Sequence, residues 1–348
     1  MPDKISSFNF LGSGIGSVPF KDVDDTCKNI LKLFPKMPFW PQFVQLSPLE
    51  DMSIQYTEGL PLLDVEAEKR TIKISGKHDQ ESELVTFYDH FLSQDLDYFA
   101  ITKNYARGLY ALLDLLENSN IDGPYIKGHS VGPLTFAAGI TDLNGKSVLY
   151  NPDLLEALIN GLAIKALWQV RALCQCGRRP VLFFDEPYLS GFGSAFSTLQ
   201  RQDVINILRN VIDYLREHSN ALLGIHCCGN TDWSMLIDAG FDIINFDAFE
   251  YLEYFLLYPD QIMTYLKAGG MIAWGIVPTS GLTGNETEDN LLIKLGKGLD
   301  KVRSWGIDAD LLAERSFLTP ACGMGTMEPE MAKKALRLLS GLSRKFCI

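Results

Sequence analysis

The sequence has few of the features that mark membrane, secreted or nucleic-acid-binding proteins. No apolar stretch approaches the roughly 20 residues of a membrane-spanning helix, and the first five residues lack the basic and apolar regions of a signal peptide. A formal net charge of −12 over 348 residues argues against a surface for nucleic acid or anionic membrane. The seven cysteines are odd in number and irregularly spaced. We therefore expect a reduced, cytoplasmic protein rather than a disulfide framework.

Two common catalytic arrangements are not expected either. The glycine-rich residues 12–16 follow a short apolar run, but they fit neither the G-x-G-x-x-G register nor a loop followed by Lys-Ser/Thr. We interpret this segment as a loop at the end of a strand rather than a phosphate cradle. A Ser-His-Asp hydrolase is not expected from the sequence.

Strand-like apolar runs alternate with helix-like stretches along most of the chain. Eight candidate strands begin near residues 10, 39, 125, 180, 221, 242, 271 and 315. Such alternation indicates right-handed parallel β-α units. The strand count and the chain length predict a single (β/α)₈ barrel over residues 1–348, with a surface excursion at about 46–80 that contains a hairpin. An open doubly wound sheet is the alternative, and it would separate Cys322 from His226.

Polar side chains follow the ends of several predicted strands, which is the rim where barrel enzymes keep their chemistry. On a strand, residues two apart point to the same side, so His226 and Cys228 project together while Cys227 points away. Cys322 lies just past another predicted strand and offers a third donor. One imidazole and two thiolates are a typical ligand set for Zn²⁺, which we take as the expected metal.

Acidic residues and a histidine at other strand ends are further candidates. Asp247 ends the strand after the His-x-Cys pair and is the expected fourth ligand, with Glu250 as the alternative; both could instead be caps or accept from the histidine. Asp185 and Glu186 are adjacent, so only one of them can face the barrel mouth, where it would bind an ammonium group or orient a histidine. His129 could shuttle protons, or it could be a half-buried side chain whose ring nitrogens already have hydrogen-bond partners.

Five of these polar and glycine-containing segments occur in a characteristic order. They are residues 14–19, 127–135, 185–187, 226–230 and 320–323. Together they resemble the catalytic C-terminal domain of cobalamin-independent methionine synthase. That domain belongs to a superfamily with uroporphyrinogen decarboxylase and the zinc-dependent methylcobalamin:thiol methyltransferases. The resemblance spans residues 10 to about 325, and its most specific part is His-x-Cys with the distant cysteine.

The resemblance implies a (β/α)₈ barrel and a zinc-dependent methyltransferase. The implied zinc ligands are His226, Cys228 and Cys322, and Asp247 stands where the family has a glutamate ligand. The metal would keep the thiol of a small substrate, homocysteine or a similar compound, deprotonated for attack on a methyl group.

The resemblance also implies which residues bind the amino-acid part of that substrate. They are Ile15, Gly16, Ser17 and Asp185, with Glu58 as the counterpart of a further acid. Asp185 would act at the reacting centre together with His129, and Glu186 is grouped with the substrate-binding acids because it adjoins Asp185.

Departures from the family pattern bear on the methyl donor. The family's second barrel, which helps to bind methylfolate, has no counterpart in this sequence, and residues 275–278 read Gly-Ile-Val-Pro where the family has a histidine. These differences favour a methylated corrinoid carried by a partner protein over methylfolate. A decarboxylase-like enzyme is an alternative, although residues 12–21 contain no arginine. A non-catalytic zinc barrel that partners a corrinoid protein is the other alternative.

Overall fold

The computed structural model describes residues 7–76, 79–193 and 199–346, and it confirms a barrel-like α/β fold. The strands are β1 (Leu11–Gly12), β2 (Leu63–Glu66), β3 (Thr71–Ile74), β4 (Tyr125–Val131), β5 (Ile140–Thr141), β6 (Arg179–Asp185), β7 (Leu222–Cys227), β8 (Ile243–Phe246), β9 (Met271–Val277) and β10 (Ser316–Pro320). The helices are α1 (Val23–Leu33), α2 (Gln80–Leu92), α3 (Arg107–Glu117), α4 (Pro133–Gly139), α5 (Pro152–Cys174), α6 (Arg201–His218), α7 (Trp233–Ala239), α8 (Leu252–Phe255), α9 (Pro259–Lys267), α10 (Glu288–Ser304), α11 (Ala309–Glu314) and α12 (Pro329–Phe346).

Seven of the strands form one parallel sheet, in the order β1-β10-β9-β8-β7-β6-β4. Each strand lies beside its neighbour in the sheet with its carboxyl end at the same rim, and helices cover the outer surface. This arrangement confirms seven of the eight predicted strands. It also brings the polar residues that follow those strands to one edge of the sheet.

The strand predicted near residue 39 is replaced by two isolated bridges that span the gap between β1 and β4. Phe39 pairs with Lys127 of β4, and Gln42 pairs with Ser17 beyond β1. A continuous strand cannot form here because Pro38 and Pro41 flank the bridge and supply no backbone N–H. The segment still occupies the eighth position, between the two edge strands β1 and β4.

The interior of the barrel is a separate apolar cluster below the polar rim. Its members come from nearly every strand and are Phe8, Leu11, Met37, Tyr125, Val181, Phe183, Leu222, Ile243, Met271, Ala273 and Phe317. A larger cluster fills the space between the sheet and the helices. On β4, a Cβ added at Gly128 would lie 2.2 Å from Gln169 of α5, so this position faces outward. The alternating residues Lys127 and His129 therefore face the interior.

The excursion before β4 forms a second small sheet. The predicted hairpin is confirmed, with β2 antiparallel to β3, and β5 adds to β3 in parallel. Helix α2 and the segment around Phe99 pack between this sheet and α5. The excursion therefore covers the outside of α5 and extends past residue 80, further than the sequence indicated. No helix in the described part of the chain is long and apolar enough to span a bilayer.

Most helices follow the sequence closely, and those that it did not indicate are short. Asn151 caps α5 by accepting from the amide of Leu154, with proline at the first helical position. Helices α4, α8 and α11 were not predicted. They have seven, four and six residues, which is too few for an apolar periodicity to be visible.

Candidate metal centre

Strand β7 directs two potential ligands into the barrel mouth and one cysteine away from it. His226 is 2% exposed and pairs in register with Asp185 on one side and Asn245 on the other. Cys227, between the two inward residues, lies in the core between sheet and helices. Cys228 follows at the end of the strand. The predicted alternation is therefore confirmed.

The structure brings His226, Cys228 and Cys322 together. One nitrogen and two sulfurs from these residues all lie within 4.8 Å of one another, and among the described residues they are the one group of three or more such ligands with this geometry. The hydrogen bond with Cys322, followed by the interaction with His226, lowers the pKa of the Cys228 thiol to about 4. The same hydrogen bond and burial raise the pKa of Cys322. The two sulfurs therefore share one negative charge before any metal binds.

The free nitrogen of His226 makes the group of His226, Cys228 and Cys322 suitable for binding a metal ion. Nε2 is buried and has no hydrogen-bond partner among the described residues, while Nδ1 lies 2.6 Å from Oδ1 of Asn245. A zinc ion with bonds of about 2.0–2.3 Å to nitrogen and sulfur needs donor atoms separated by about 3.3–3.8 Å in a tetrahedral site. The observed spacing accommodates such an ion after small movements of the side chains.

Asn245 fixes the tautomer of His226 and was missed in the sequence. Its Nδ2 donates to the carbonyl of Ala273 and to the hydroxyl of Thr319, each at 2.8 Å, so its Oδ1 must face the imidazole. Nδ1 of His226 therefore carries the hydrogen, and Nε2 keeps a lone pair for a metal. Alternation on β8 could have identified Asn245, because it precedes Asp247 by two positions.

The structure places Asp247 close to the centre but outside the three-residue group. Its Oδ1 accepts hydrogen bonds from the amides of Phe249 and Glu250, each at 2.9 Å. Burial raises the pKa of Asp247, and interactions with these amides and with His226 oppose that rise. The carboxylate thus caps the turn after β8, and its role as a fourth ligand stays a prediction. Glu250, the alternative, is exposed.

Asp185 and Glu186 point to opposite sides, as their adjacency predicts. Oδ1 of Asp185 is buried and lacks a hydrogen-bond partner among the described residues. Burial raises the pKa of Asp185 to about 6, although His226 and Lys127 oppose the rise. This carboxylate faces the same interior as the metal ligands and is the acid available to a substrate.

The contacts of Glu186 disagree with the prediction that this residue binds substrate. Its carboxylate accepts from the amides of Leu134 and Thr135 and from the Thr135 hydroxyl, which caps the first turn of α4. The side chain is fully buried on the outer side of the sheet. Because three donors of α4 engage it there, it belongs to the packing of that helix and not to the barrel mouth.

The predicted substrate loop lies against the loop that carries Cys322. The carbonyl of Ser17 accepts from the amide of Met324 at 2.9 Å, and its hydroxyl accepts from the amide of Gly325 at 3.3 Å. A Cβ added at Gly16 would lie 2.6 Å from Nδ1 of His129, so only glycine allows this approach. Ser17 and the metal ligands are therefore neighbours, while the binding roles of residues 15–17 stay predictions.

His129 is enclosed between Trp40 and Gly16. Its ring stacks on the indole of Trp40 with centroids 3.9 Å apart, and neither ring nitrogen has a partner among the described residues. Burial lowers the pKa of His129 well below its usual value, so the ring is neutral. A neutral imidazole with two free nitrogens suits proton transfer, and the predicted catalytic role is not decided by this geometry.

Glu58 lies in the excursion and connects two of its loops. Its carboxylate accepts from the amide and the hydroxyl of Thr102, at 2.8 and 2.9 Å. These contacts give Glu58 a structural role, and its assignment to the substrate stays a prediction.

Residues 128–132 have G-x-S-x-G spacing, which the sequence reasoning overlooked. Ser130 lies within β4, where it pairs with Phe184 of β6. It is fully buried, and its hydroxyl donates to the carbonyl of Val131. A nucleophile elbow instead exposes its serine at a strained turn between strand and helix. Ser130 therefore lacks the geometry of a nucleophile elbow, in line with the expectation that the chain is not a Ser-His-Asp hydrolase.

Comparisons with known proteins give matches at the level of structure. No family model matches the chain, and no curated protein matches it in sequence. A B12-independent methionine synthase from Shewanella sp. W3-18-1, solved in complex with selenomethionine, is similar with a TM-score of 0.56 and 17% identity over 97% of both chains. A methyltransferase from Methanosarcina mazei is similar with a TM-score of 0.55 and 15% identity, over 100% of this chain and 96% of the other.

Both likenesses run over nearly the full length of each chain. At these identities the likeness is one of fold. The structural resemblance that the sequence predicted is thereby confirmed: this chain has the fold of these two methyl-transfer proteins.

Proposed function

We propose that the protein is a zinc-dependent methyltransferase that methylates the thiol of a small amino-acid substrate such as homocysteine. The observation that carries the proposal is the convergence of His226, Cys228 and Cys322 at the barrel mouth. This group offers three ligands, and zinc sites with three protein ligands keep a position open for substrate. A decarboxylase-like enzyme would need no such group.

The bound ion would supply one function, which is to hold the substrate sulfur in its deprotonated, nucleophilic form. The chain supplies the ligand charges that keep this sulfur electron-rich. Cys228 and Cys322 would bring two negative charges, and Asn245 holds the hydrogen of His226 on Nδ1, which leaves Nε2 to the metal. Two thiolates and a neutral imidazole compensate the charge of a divalent cation.

The remaining residues of the mouth would bind the amino-acid part of the substrate. The unpartnered carboxylate oxygen of Asp185 faces the interior beside His226 and suits an ammonium group. Ser17 lies against the Cys322 loop and suits the substrate carboxylate. These two contacts would orient the substrate so that its sulfur approaches the methyl carbon in line.

The overall reaction is an S-methylation. A bond forms between the substrate sulfur and the methyl carbon, the bond between that carbon and its donor breaks, and the thiol proton is released to solvent. The similar protein from Shewanella is named a methionine synthase and was solved with selenomethionine, an amino acid that carries a methylated selenium.

The donor proposed here is a methylated corrinoid held by a partner protein, because residues 275–278 carry no histidine to protonate a folate. The Shewanella protein is named B12-independent, which favours a donor other than a corrinoid. Incubating zinc-loaded protein with homocysteine and either methylcobalamin or methyltetrahydrofolate, followed by mass spectrometry, tests both. Methionine formed from methylcobalamin supports the proposal. Formation only from the folate would revise the donor, and formation from neither would contradict thiol methylation by these donors.

A further inference from the structure

Lys127 is a buried amine that the metal centre does not explain. It is fully buried on the inner side of β4, and its Nζ lies 4.2 Å from the ring centroid of Phe183 in the barrel interior. In the described ranges no carboxylate comes within ion-pair distance of Nζ; burial lowers the pKa of Lys127 to about 7, and the charge of Asp185 opposes that fall. Burying an amine without a close counter-ion is unfavourable, so an apolar side chain would pack this interior better.

Among the described residues, Nζ of Lys127 donates one hydrogen bond, and the acceptor belongs to the predicted substrate loop. Nζ donates to the carbonyl of Ile15 at 2.6 Å. The next carbonyl, of Gly16, accepts from the amide of Gln42 at 3.1 Å, and Ser17 is held by the loop of Cys322. Each residue of the loop is therefore fixed by a different element, and Lys127 provides the contact from inside the barrel.

We propose that Lys127 is a positioning residue that holds the Ile15–Ser17 loop in the conformation that binds the carboxylate end of the substrate. The proposal rests on the proposed function. Its physical basis is that a short hydrogen bond from inside the barrel sets the orientation of the peptides that follow Ile15. This hydrogen bond is made to the loop and not to His226, Cys228 or Cys322, so the expected effect is confined to the end of the substrate that carries the carboxylate.

The chain contains a matched control for this side chain. Lys165 of α5 is also fully buried, and its Nζ donates to a backbone carbonyl, that of Phe99, at 3.2 Å. This contact lies under the excursion on the outer side of the barrel. Replacing either lysine with methionine removes the hydrogen-bonding amine and keeps a similar length, so the pair separates a local effect on the loop from the general effect of removing a buried amine.

The test measures the binding of two thiols to protein loaded with cobalt(II), whose visible absorption reports the addition of a sulfur ligand. Homocysteine carries the carboxylate and ammonium groups, and 1-propanethiol lacks both. For Lys127→Met we expect homocysteine to bind about tenfold more weakly or worse, while propanethiol changes by less than about twofold. For Lys165→Met we expect less than about twofold change for either thiol, because distant sites act independently.

The possible failures are distinguishable. Equal affinity of wild type and Lys127→Met for homocysteine, or an equal loss for both thiols, would overturn the positioning role and leave the proposed function standing. A wild-type spectrum that neither thiol changes would overturn the proposed function together with this inference. If Lys127→Met does not fold, Lys127→Gln is tested with the same two thiols, and the loss of homocysteine affinity is compared with the loss of propanethiol affinity. Failure of both variants to fold would also contradict the proposal, because it would make Lys127 a structural residue.

Discussion

The two faces of β7 carry the same residue types and have opposite chemistry. On the outer face, burial raises the pKa of Cys227 to about 12, so this thiol stays protonated in the core. On the inner face, the hydrogen bond with Cys322 and the neighbouring His226 lower the pKa of Cys228 to about 4. Two adjacent cysteines thus differ because one packs against helices and the other meets a second thiol and an imidazole. Position on the strand, rather than residue type, determines which cysteine can bind a metal.

The largest expected effect comes from removing an inner-face sulfur. Cys228→Ser or Cys322→Ser replaces a thiolate by a hydroxyl that stays protonated, so we expect zinc affinity to fall roughly a thousandfold or more. Metal content after dialysis against a chelator, measured by elemental analysis, gives the result. Retention of one zinc per chain in both variants would show that these sulfurs are not ligands.

The matched variant on the outer face is Cys227→Ala. It removes a buried sulfur from the core between sheet and helices, so we expect a loss of about 1–2 kcal/mol in the free energy of unfolding and full retention of zinc. Chemical denaturation of the apoprotein and the same metal analysis measure both quantities. Loss of zinc in this variant would abolish the distinction between the two faces.

The pH dependence of zinc affinity sharpens the same contrast. The hydrogen bond to Cys228 and burial raise the pKa of Cys322. For His226, burial lowers the pKa, but interactions with Cys228 and Asp185 outweigh burial and raise it. These protons compete with the metal, so affinity must increase as pH rises, by about tenfold per pH unit for each proton displaced. Chelator competition at several pH values measures the slope. A zinc affinity independent of pH would contradict this ligand set.

A smaller effect is expected from the residue behind the imidazole. Asn245→Leu removes the acceptor for Nδ1 of His226, and we expect about 10–100-fold weaker zinc binding. Thr319→Val is the control, because it removes one of the two acceptors that orient Asn245 and leaves the carbonyl of Ala273. Competition titrations should show a change of only a few fold in the control. Equal losses in both variants would indicate a general disturbance of the barrel interior.

Much of the barrel and the core of the site could be predicted from the sequence, because both depend on local patterns. Alternation on β7 placed His226 and Cys228 on one side, and the parallel topology brought Cys322 to the same rim. Contacts that depend on three dimensions were not visible. Alternation on β8 places Asn245 on the inner face, but its hydrogen bond to His226 follows only from the register between strands. A lysine inside β4 carries no motif that marks its contact with Ile15.

The errors have equally specific causes. The segment at residue 39 looks like a strand in its apolar content, but its prolines limit it to isolated bridges. Glu186 was assigned to the substrate because it adjoins Asp185, and no residue pattern indicated α4, the short helix that it caps.

X-ray absorption at the zinc edge, with and without homocysteine, tests the central claim most directly. The account predicts two sulfur neighbours from Cys228 and Cys322 in the free protein and a third sulfur when homocysteine is added. An unchanged sulfur count at saturating homocysteine would identify a closed, structural zinc site and would contradict thiol methylation at this barrel mouth.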